Sequence, residues 1–373
     1  MHTTTTIIGM SAFLSIASAV PVPESRWQNR QSWNNAPAAP SAPASPFTFP
    51  LSNGFPDLTA DALQAVEMQG QGTEPNGAAP TGLSDDDLTS FRLIAFNELF
   101  EVAFFTDLLY NITNNVAGFS IDDPKQKASM INAITAIQAQ EELHAVNANA
   151  ILAANNQAAI QPCQYQFPST TLTGALSFAK TFTDVVLGTL QDVQLHLSTN
   201  GANGVVPVIG SVIGQEGEQN GFFRASTDLI PSAQPFLTRS SREFAFSALN
   251  QAVVVPNSCP NANLIGLPIF APLTVITSPI AANDQTLQFS VAAAPPAGAS
   301  VVYINGQNTP IVQPISNVNV QNGVATFQAA FPYTENLLNG LTIAALVNGS
   351  GPFADAEAVA KATIAGPGLI EIN

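Results

Sequence analysis

The sequence predicts a multidomain α and β protein, with a four-helix bundle and a fifth helix followed by an immunoglobulin-like β-sandwich. Three observations predict it. Between residues 84 and 255, apolar residues recur at steps of three and four in several long stretches. Past Pro260 the period becomes two, as in Thr286–Val291 and Val324–Phe331. Asn-Gly pairs starting at Asn305, Asn322, Asn339 and Asn348 punctuate that second region as tight turns.

The elements follow in chain order. Residues 1–19 read as a signal peptide: a short apolar run from Ile7 to Ala17, then small residues at Ala17-Ser18-Ala19 for cleavage. Residues 20–83 read as a Pro- and Ala-rich linker or extension, since a stretch such as Asn35–Pro46 cannot bury enough apolar surface to order itself. One short helix is expected within it, at Thr59–Met68. Ser84 and Asp87 resemble a capping box and open the first long helix, to about Tyr110. Asp123-Pro124 caps the second, which runs to about Asn155. The third spans Thr171–Leu197, the fourth Val205–Leu229 and a weaker fifth Gln234–Ala252, so that the bundle occupies residues 84–255. In residues 260–373, about seven short strands fit between Leu273 and Ala365. That stretch of strands holds no His, Cys or Trp and one basic residue, Lys361, so no chemistry is read there.

Composition narrows the function. The chain has 26 acids against 10 bases, a formal net charge of −16. That field repels phosphate backbones, and the nearest thing to a basic cluster is Lys125 with Lys127, so nucleic acid is excluded as a partner. No run reaches the roughly 18 apolar residues of a membrane helix, and Gly368–Asn373 lacks a lipid-anchor tail. The expected destination is extracellular, in solution or in a wall. Two cysteines fit it: Cys163 and Cys259 form the sole pair, and a bridge between them would stabilise the fold by about 4–5 kcal/mol in the chain-entropy model. Sequons at Asn111 and Asn348 are consistent with glycosylation on surface turns. The sequence leaves the oligomeric state and any wall partner open.

The informative feature is where the helices place their acids. In the second long helix Met130, Ile134, Ile137, Glu141, His144, Ala148 and Ile151 share one face. The first puts Glu98 on the face of Leu88, Phe91, Ala95, Val102 and Phe105. The fourth puts Glu216 and Gln219 between Val212 and Phe223. Three carboxylates facing one core cost several kcal/mol each unless neutralised or paired. A bound cation is the usual remedy in a bundle, and Glu-x-x-His aims both side chains at one ion.

Three segments carry a family resemblance. Asn97–Phe105 resembles the first helix of ferritin-like domains, Glu141-Glu-Leu-His144 their Glu-x-x-His motif, and Gln215–Arg224 their fourth-helix Glu-x-x-His followed by Arg. With its Pro-rich lead-in and β-rich tail, the layout resembles the secreted fungal ferritin-like proteins of late sexual development. Fission-yeast stress-response proteins and desiccation-related proteins are similar at lower resolution. The resemblance implies metal ligands at Glu98, Glu141, His144 and Glu216. It also exposes two departures among six ligand positions: Thr183 stands where the third helix has a carboxylate, and Gln219 where the fourth has His.

Two readings follow from this set. In one, Glu98, Glu141, His144 and Glu216 hold iron or manganese, singly or as a weak pair, in a metal-binding protein with metal-dependent oxidase activity. In the other the site is a degenerate, metal-free relic in a non-enzymatic protein of fungal development or stress, with His144 paired to Glu98 or Glu216 and with Thr183 and Gln219 completing a buried network. A small ligand in the bundle is the third option. Glu101 and Asp107 are expected to face solvent or the sequon turn, Glu142 and Glu218 to point away, and His196 to sit at a helix end or the surface. No Ser-His-Asp order, nucleophile elbow or phosphate loop is present, so no catalytic residue is assigned. Phe96 and Phe100 lie opposite Glu98, and a covering element is expected over them: the short N-terminal helix, the fifth helix or the β domain.

Overall fold

The structure is a computed structural model of the chain and describes residues 48–373. The expected signal peptide and the Pro-rich stretch up to residue 47 lie outside the described residues.

A short helix, α1 (Ala60–Gly70), precedes four long ones: α2 (Asp85–Thr113), α3 (Pro124–Ala154), α4 (Leu172–Thr199) and α5 (Val206–Ala225). The capping residues start them as the sequence requires. Ser84 and Asp87 form a reciprocal capping box on α2, and Asp123 accepts from the N–H groups of Lys125 and Gln126 before Pro124. The fifth helix of the sequence reading, α6 (Arg242–Ala252), begins at Arg242 rather than Gln234. Pro231 and Pro235 interrupt the earlier residues, and Ser241 supplies the cap by accepting from Phe244 N–H.

Helix α2 is the axis of the bundle: every residue from Leu93 to Phe105 is buried. Phe96 packs edge-on against Phe246 of α6 at 5.2 Å between ring centres. Phe100 is covered instead by Phe182 of α4 at 5.0 Å and by Tyr165 and Phe167 of the α3–α4 connection. The fifth helix thus covers Phe96 as expected, whereas Phe100 is covered by α4 and a loop, neither of which was among the covering elements expected from the sequence. The last residues of the region read as linker are also packed. Phe55 is fully buried, and Phe49, Leu51 and Leu58 lie against the same core, because apolar residues return once the Pro/Ala run ends.

The C-terminal part holds β1 (Thr274–Val275), β2 (Gln285–Val291), β3 (Ser300–Asn305), β4 (Ile311–Pro314), β5 (Ser316–Gln321), β6 (Val324–Phe331), β7 (Gly340–Val347) and β8 (Thr363–Ile372). A single helical turn, α7 (Tyr333–Asn336), follows β6, and α8 (Ala356–Ala362) precedes β8. Two antiparallel sheets form, in the orders β1-β2-β6-β5 and β4-β3-β7-β8. This is the strand arrangement of an immunoglobulin-like sandwich. The final strand extends to Ile372, past the Ala365 limit set from sequence.

Strands β3 and β7 are buried along their whole length, because each faces two cores. Val301, Tyr303, Ala344 and Leu346 point into the sandwich. Val302, Ile304, Ile343, Ala345 and Val347 point the other way, onto Val185 of α4, Phe244 and Ala245 of α6, and α8. The β domain is therefore bound to the bundle through a shared apolar core. Gly188 of α4 permits the close approach: a Cβ there would lie 2.3 Å from Thr238 O, on the segment that leads into α6. Lys180 Nζ to Glu371 Oε2 at 2.8 Å and Arg224 Nη1 to Asn373 Oδ1 at 2.6 Å tie the two parts further. Cys163 and Cys259 are disulfide-bonded and join the chain after α3 to the chain after α6.

Candidate metal centre

Three helices bring the acids together. Glu98 sits mid-way along α2, Glu141 and His144 follow each other by three residues on α3, and Glu216 lies on α5. One ligand atom from each of these four residues lies within 4.8 Å of the other three. All three carboxylates are essentially inaccessible, while the His144 side chain keeps 17% of its surface.

His144 Nδ1 stands 2.9 Å from Glu141 Oε2 and 3.5 Å from Glu98 Oε2. Gln219 Nε2 donates to Glu141 Oε1 at 2.5 Å and reaches Gln140 Oε1 at 3.2 Å. Other buried oxygens have no donor: Glu101 Oε2, both oxygens of Glu216, and Gln219 Oε1. Leaving such a group unsatisfied costs roughly 1–3 kcal/mol, and more for a charged one. The donor set fits a cation, since Glu216, with neither oxygen bonded to a donor, converges with Glu98 and Glu141 beside an imidazole.

Protonation in the metal-free protein follows from the same crowding. Burial pushes Glu98 up to about 7, against the pull of His144. Burial, and then the charges of neighbouring acids, raise Glu216 and Glu101 well above the carboxylate range. For His144, burial favours the neutral ring, but Glu141 and then Glu98 outweigh it and hold the imidazolium well above its ordinary range. A cation entering this site would therefore displace protons, and its affinity would rise with pH.

Several residues sit elsewhere than the sequence suggested. Glu101 does not face solvent: it is fully buried, accepts from Asn97 Nδ2 at 2.9 Å and lies in the field of Glu216, Glu141 and Glu98. The signal for it was the all-round apolar character of α2, which leaves no wet face for an acid. Thr183 is buried, but its hydroxyl finds no partner and does not join a network. Asp184 beside it accepts from Asn220 of α5 instead. Glu142 points away from the acids yet is buried, accepting from Asn53 at 2.8 Å and Gln138. Glu218 is exposed. His196 does sit at a helix end, in the last turn of α4, where it joins a partly buried cluster, 2.8 Å from Asp86 and close to Asp192 and Arg242. Asn111 lies half-buried in the last turn of α2, donating to Asp107, and so is not on a surface turn, whereas Asn348 is exposed after β7.

A cavity of about 350 Å³ adjoins the acids. Phe91, Ile94 and Leu190 give it apolar walls, Glu98 and His144 form part of its lining, and Glu74 and Asn147 lie on the side of the α1–α2 connection. No helix among the described residues is long and apolar enough to cross a membrane.

Residues 85–228, from α2 to just beyond α5, match the family model of the ferritin-like domain. No curated protein matches the chain. In that stretch the helical part of the chain is similar to ferritin-like domains, and its helices and converging acids agree with that likeness.

Proposed function

We propose that the bundle is a carboxylate-rich centre for iron or manganese, in a secreted or wall-associated fungal protein of development or stress. The observation that carries the metal is Glu216: both of its oxygens are buried, beside other acids, with no hydrogen-bond partner. Glu98, Glu141, His144 and Glu216 would hold the ion, and oxygen-rich sets with one imidazole suit iron and manganese. Iron bound there would supply redox chemistry. His144 lies against two carboxylates, and the adjoining cavity gives a small substrate a route to His144 and Glu98. Oxidation of such a substrate is the enzymatic extension of the same reading. The disulfide and the absence of a membrane-crossing helix among the described residues are compatible with export. The resemblance to the fungal secreted proteins supports the setting.

The hydrogen bond from Gln219 to Glu141 and the His144 ion pairs favour the metal-free relic as second reading. Elemental analysis separates the two. Protein loaded anaerobically with Fe(II) or Mn(II) and then dialysed should retain stoichiometric metal, and Glu216→Gln should lose most of it. Wild-type protein that retains none, with a melting temperature indifferent to chelators, would establish the relic.

A further inference from the structure

We infer that Asn322, in the turn between β5 and β6, is a site of spontaneous deamidation, converted by water to aspartate or isoaspartate, and that the fold shields Asn305 and Asn339 from the same reaction.

The Asn-Gly pairs that mark turns in the β domain share one intrinsic reactivity. The backbone nitrogen of the glycine attacks Cγ of the asparagine, so that an N–C bond forms and the Cγ–Nδ2 bond breaks. The glycine N–H proton passes to the departing group, which leaves as ammonia. Water then opens the five-membered imide at either carbonyl, giving aspartate or isoaspartate. Glycine favours the attack because it has no Cβ to crowd its nitrogen and can change φ freely. The asparagine side chain must be free to swing onto that nitrogen, and the nitrogen must be free to meet it.

Asn305 fails on both counts. It is buried, and its Nδ2 donates to Asn339 O, Leu341 O and Thr342 Oγ1 at 2.9, 3.0 and 2.9 Å. The nucleophile is engaged as well, since Gly306 N–H donates to Thr238 Oγ1 at 2.8 Å. Asn339 is half-buried, and its Oδ1 accepts from the Tyr333 hydroxyl at 2.7 Å. Gly340 after it is buried and tightly packed: a Cβ there would lie 2.8 Å from Ala233 Cβ.

Asn322 is held by none of this. The register pairs Gln321 with Val324, which leaves Asn322 and Gly323 as a two-residue loop with φ of 51° and 80°. Both residues are exposed. Among the described residues the Asn322 side chain makes no hydrogen bond, and a Cβ on Gly323 would meet nothing within 4 Å. Asn348 is exposed too, but it lies in a sequon with Ser350, where a glycan on Nδ2 would block the leaving group. Asn322-Gly323-Val324 is no sequon. The new carboxylate falls at the tip of β5, the free edge of its sheet, whose residues Ser316–Gln321 carry no charge. Charge on an edge strand opposes pairing with another chain.

The test incubates the full chain for several weeks in warm, mildly alkaline buffer, folded and in guanidinium. Peptide mapping with electron-transfer fragmentation then reads aspartate and isoaspartate at each position. In the folded protein Asn322 should convert, while Asn305, which must first give up three hydrogen bonds, should react at least about tenfold more slowly. Asn339 should lag likewise, and in guanidinium all three should convert at similar rates. Asn322 intact in the folded protein but converted in guanidinium would overturn the inference, because the hairpin itself would then be the shield. Asn305 or Asn339 keeping pace with Asn322 in the folded protein would overturn the protection assigned to their hydrogen bonds and packing.

Discussion

Gln219 of α5 donates its amide hydrogen to Glu141 of α3 at 2.5 Å, across the centre of the bundle. It stands where the ferritin-like pattern has an imidazole, and it orients a candidate ligand while leaving its own oxygen without a partner. Gln219→His should therefore add a nitrogen donor and tighten Mn(II) binding about tenfold, or ~1.4 kcal/mol. Gln219→Ala should weaken it, because Glu141 loses its donor. Competition with a chelating dye measures both. Equal affinity in all three proteins would detach Gln219 from the site.

A second expectation concerns the join between bundle and sandwich. Lys180 of α4 is 4% exposed and pairs with Glu371 of β8, and Asp184 one turn further along α4 is held well above its ordinary range by burial and then by Glu371. Removing the ammonium takes from Glu371 its direct partner and leaves Arg224 as the remaining cation acting on the two acids. Lys180→Met should lower stability by about 3–5 kcal/mol. The double variant Lys180→Met/Glu371→Leu should recover part of that loss, because the uncompensated charge goes with it. Urea unfolding midpoints decide, and additive losses would mean the pair is not coupled.

The parts of this architecture that depend on local chemistry were legible in the sequence. Ser84, Asp123 and the apolar stripes placed α2 and α3 to within a few residues, and the stripes identified Glu98, Glu141, His144 and Glu216 as inward-facing. What escaped depends on tertiary context. Glu101 lies off the stripe that defined the inner face of α2, so a two-sided picture of that helix sent it to water. Phe96, Phe100 and Phe104 had already occupied the opposite side, and a helix apolar all round is a central one. The unbroken run Leu341–Val347 likewise marked a strand covered on both faces, whereas the alternation in Val324–Phe331 marked one covered on a single face. The ion cluster of Asp86, Asp192, His196 and Arg242 joins α2, α4 and the start of α6, a contact that no helical period encodes.

The disulfide yields a third prediction. Cys163 and Cys259 are 96 residues apart, and opening a loop of that length should cost about 4–5 kcal/mol in the chain-entropy model. Asn261 holds the same junction independently, bonding Gln161 N–H and Ala159 O at 3.0 and 2.8 Å. Cys163→Ala/Cys259→Ala should therefore fold to the same structure but unfold at a markedly lower temperature, as should the reduced wild type. Unchanged melting in the variant would show that Asn261 and the surrounding core suffice.

The last prediction concerns Asp192 and pH. Burial raises Asp192 to about 6, opposed by His196 and by the hydrogen bond from Arg242 N–H, and reinforced by Glu243. Its neighbours are His196 on α4, Arg242 and Glu243 on α6, with Asp86 of α2 bound to the same cations. The sign follows from proton counts. Between the usual aspartate value of 3.8 and about 6, the folded protein holds a proton on Asp192 that the unfolded chain has released. Stability contributed by this group is therefore full below that window, falls as pH rises through it, and stays flat above about 6. At 1.36 kcal/mol per pKa unit, the loss is roughly 3 kcal/mol. Asp192→Asn cannot ionise and keeps an oxygen for Arg242 N–H. The variant should match wild type near the acid end of the window and exceed it in stability at neutral pH. Urea unfolding of both proteins at several pH values checks this, and parallel curves would mean that Asp192 ionises as freely in the folded chain as in the unfolded one.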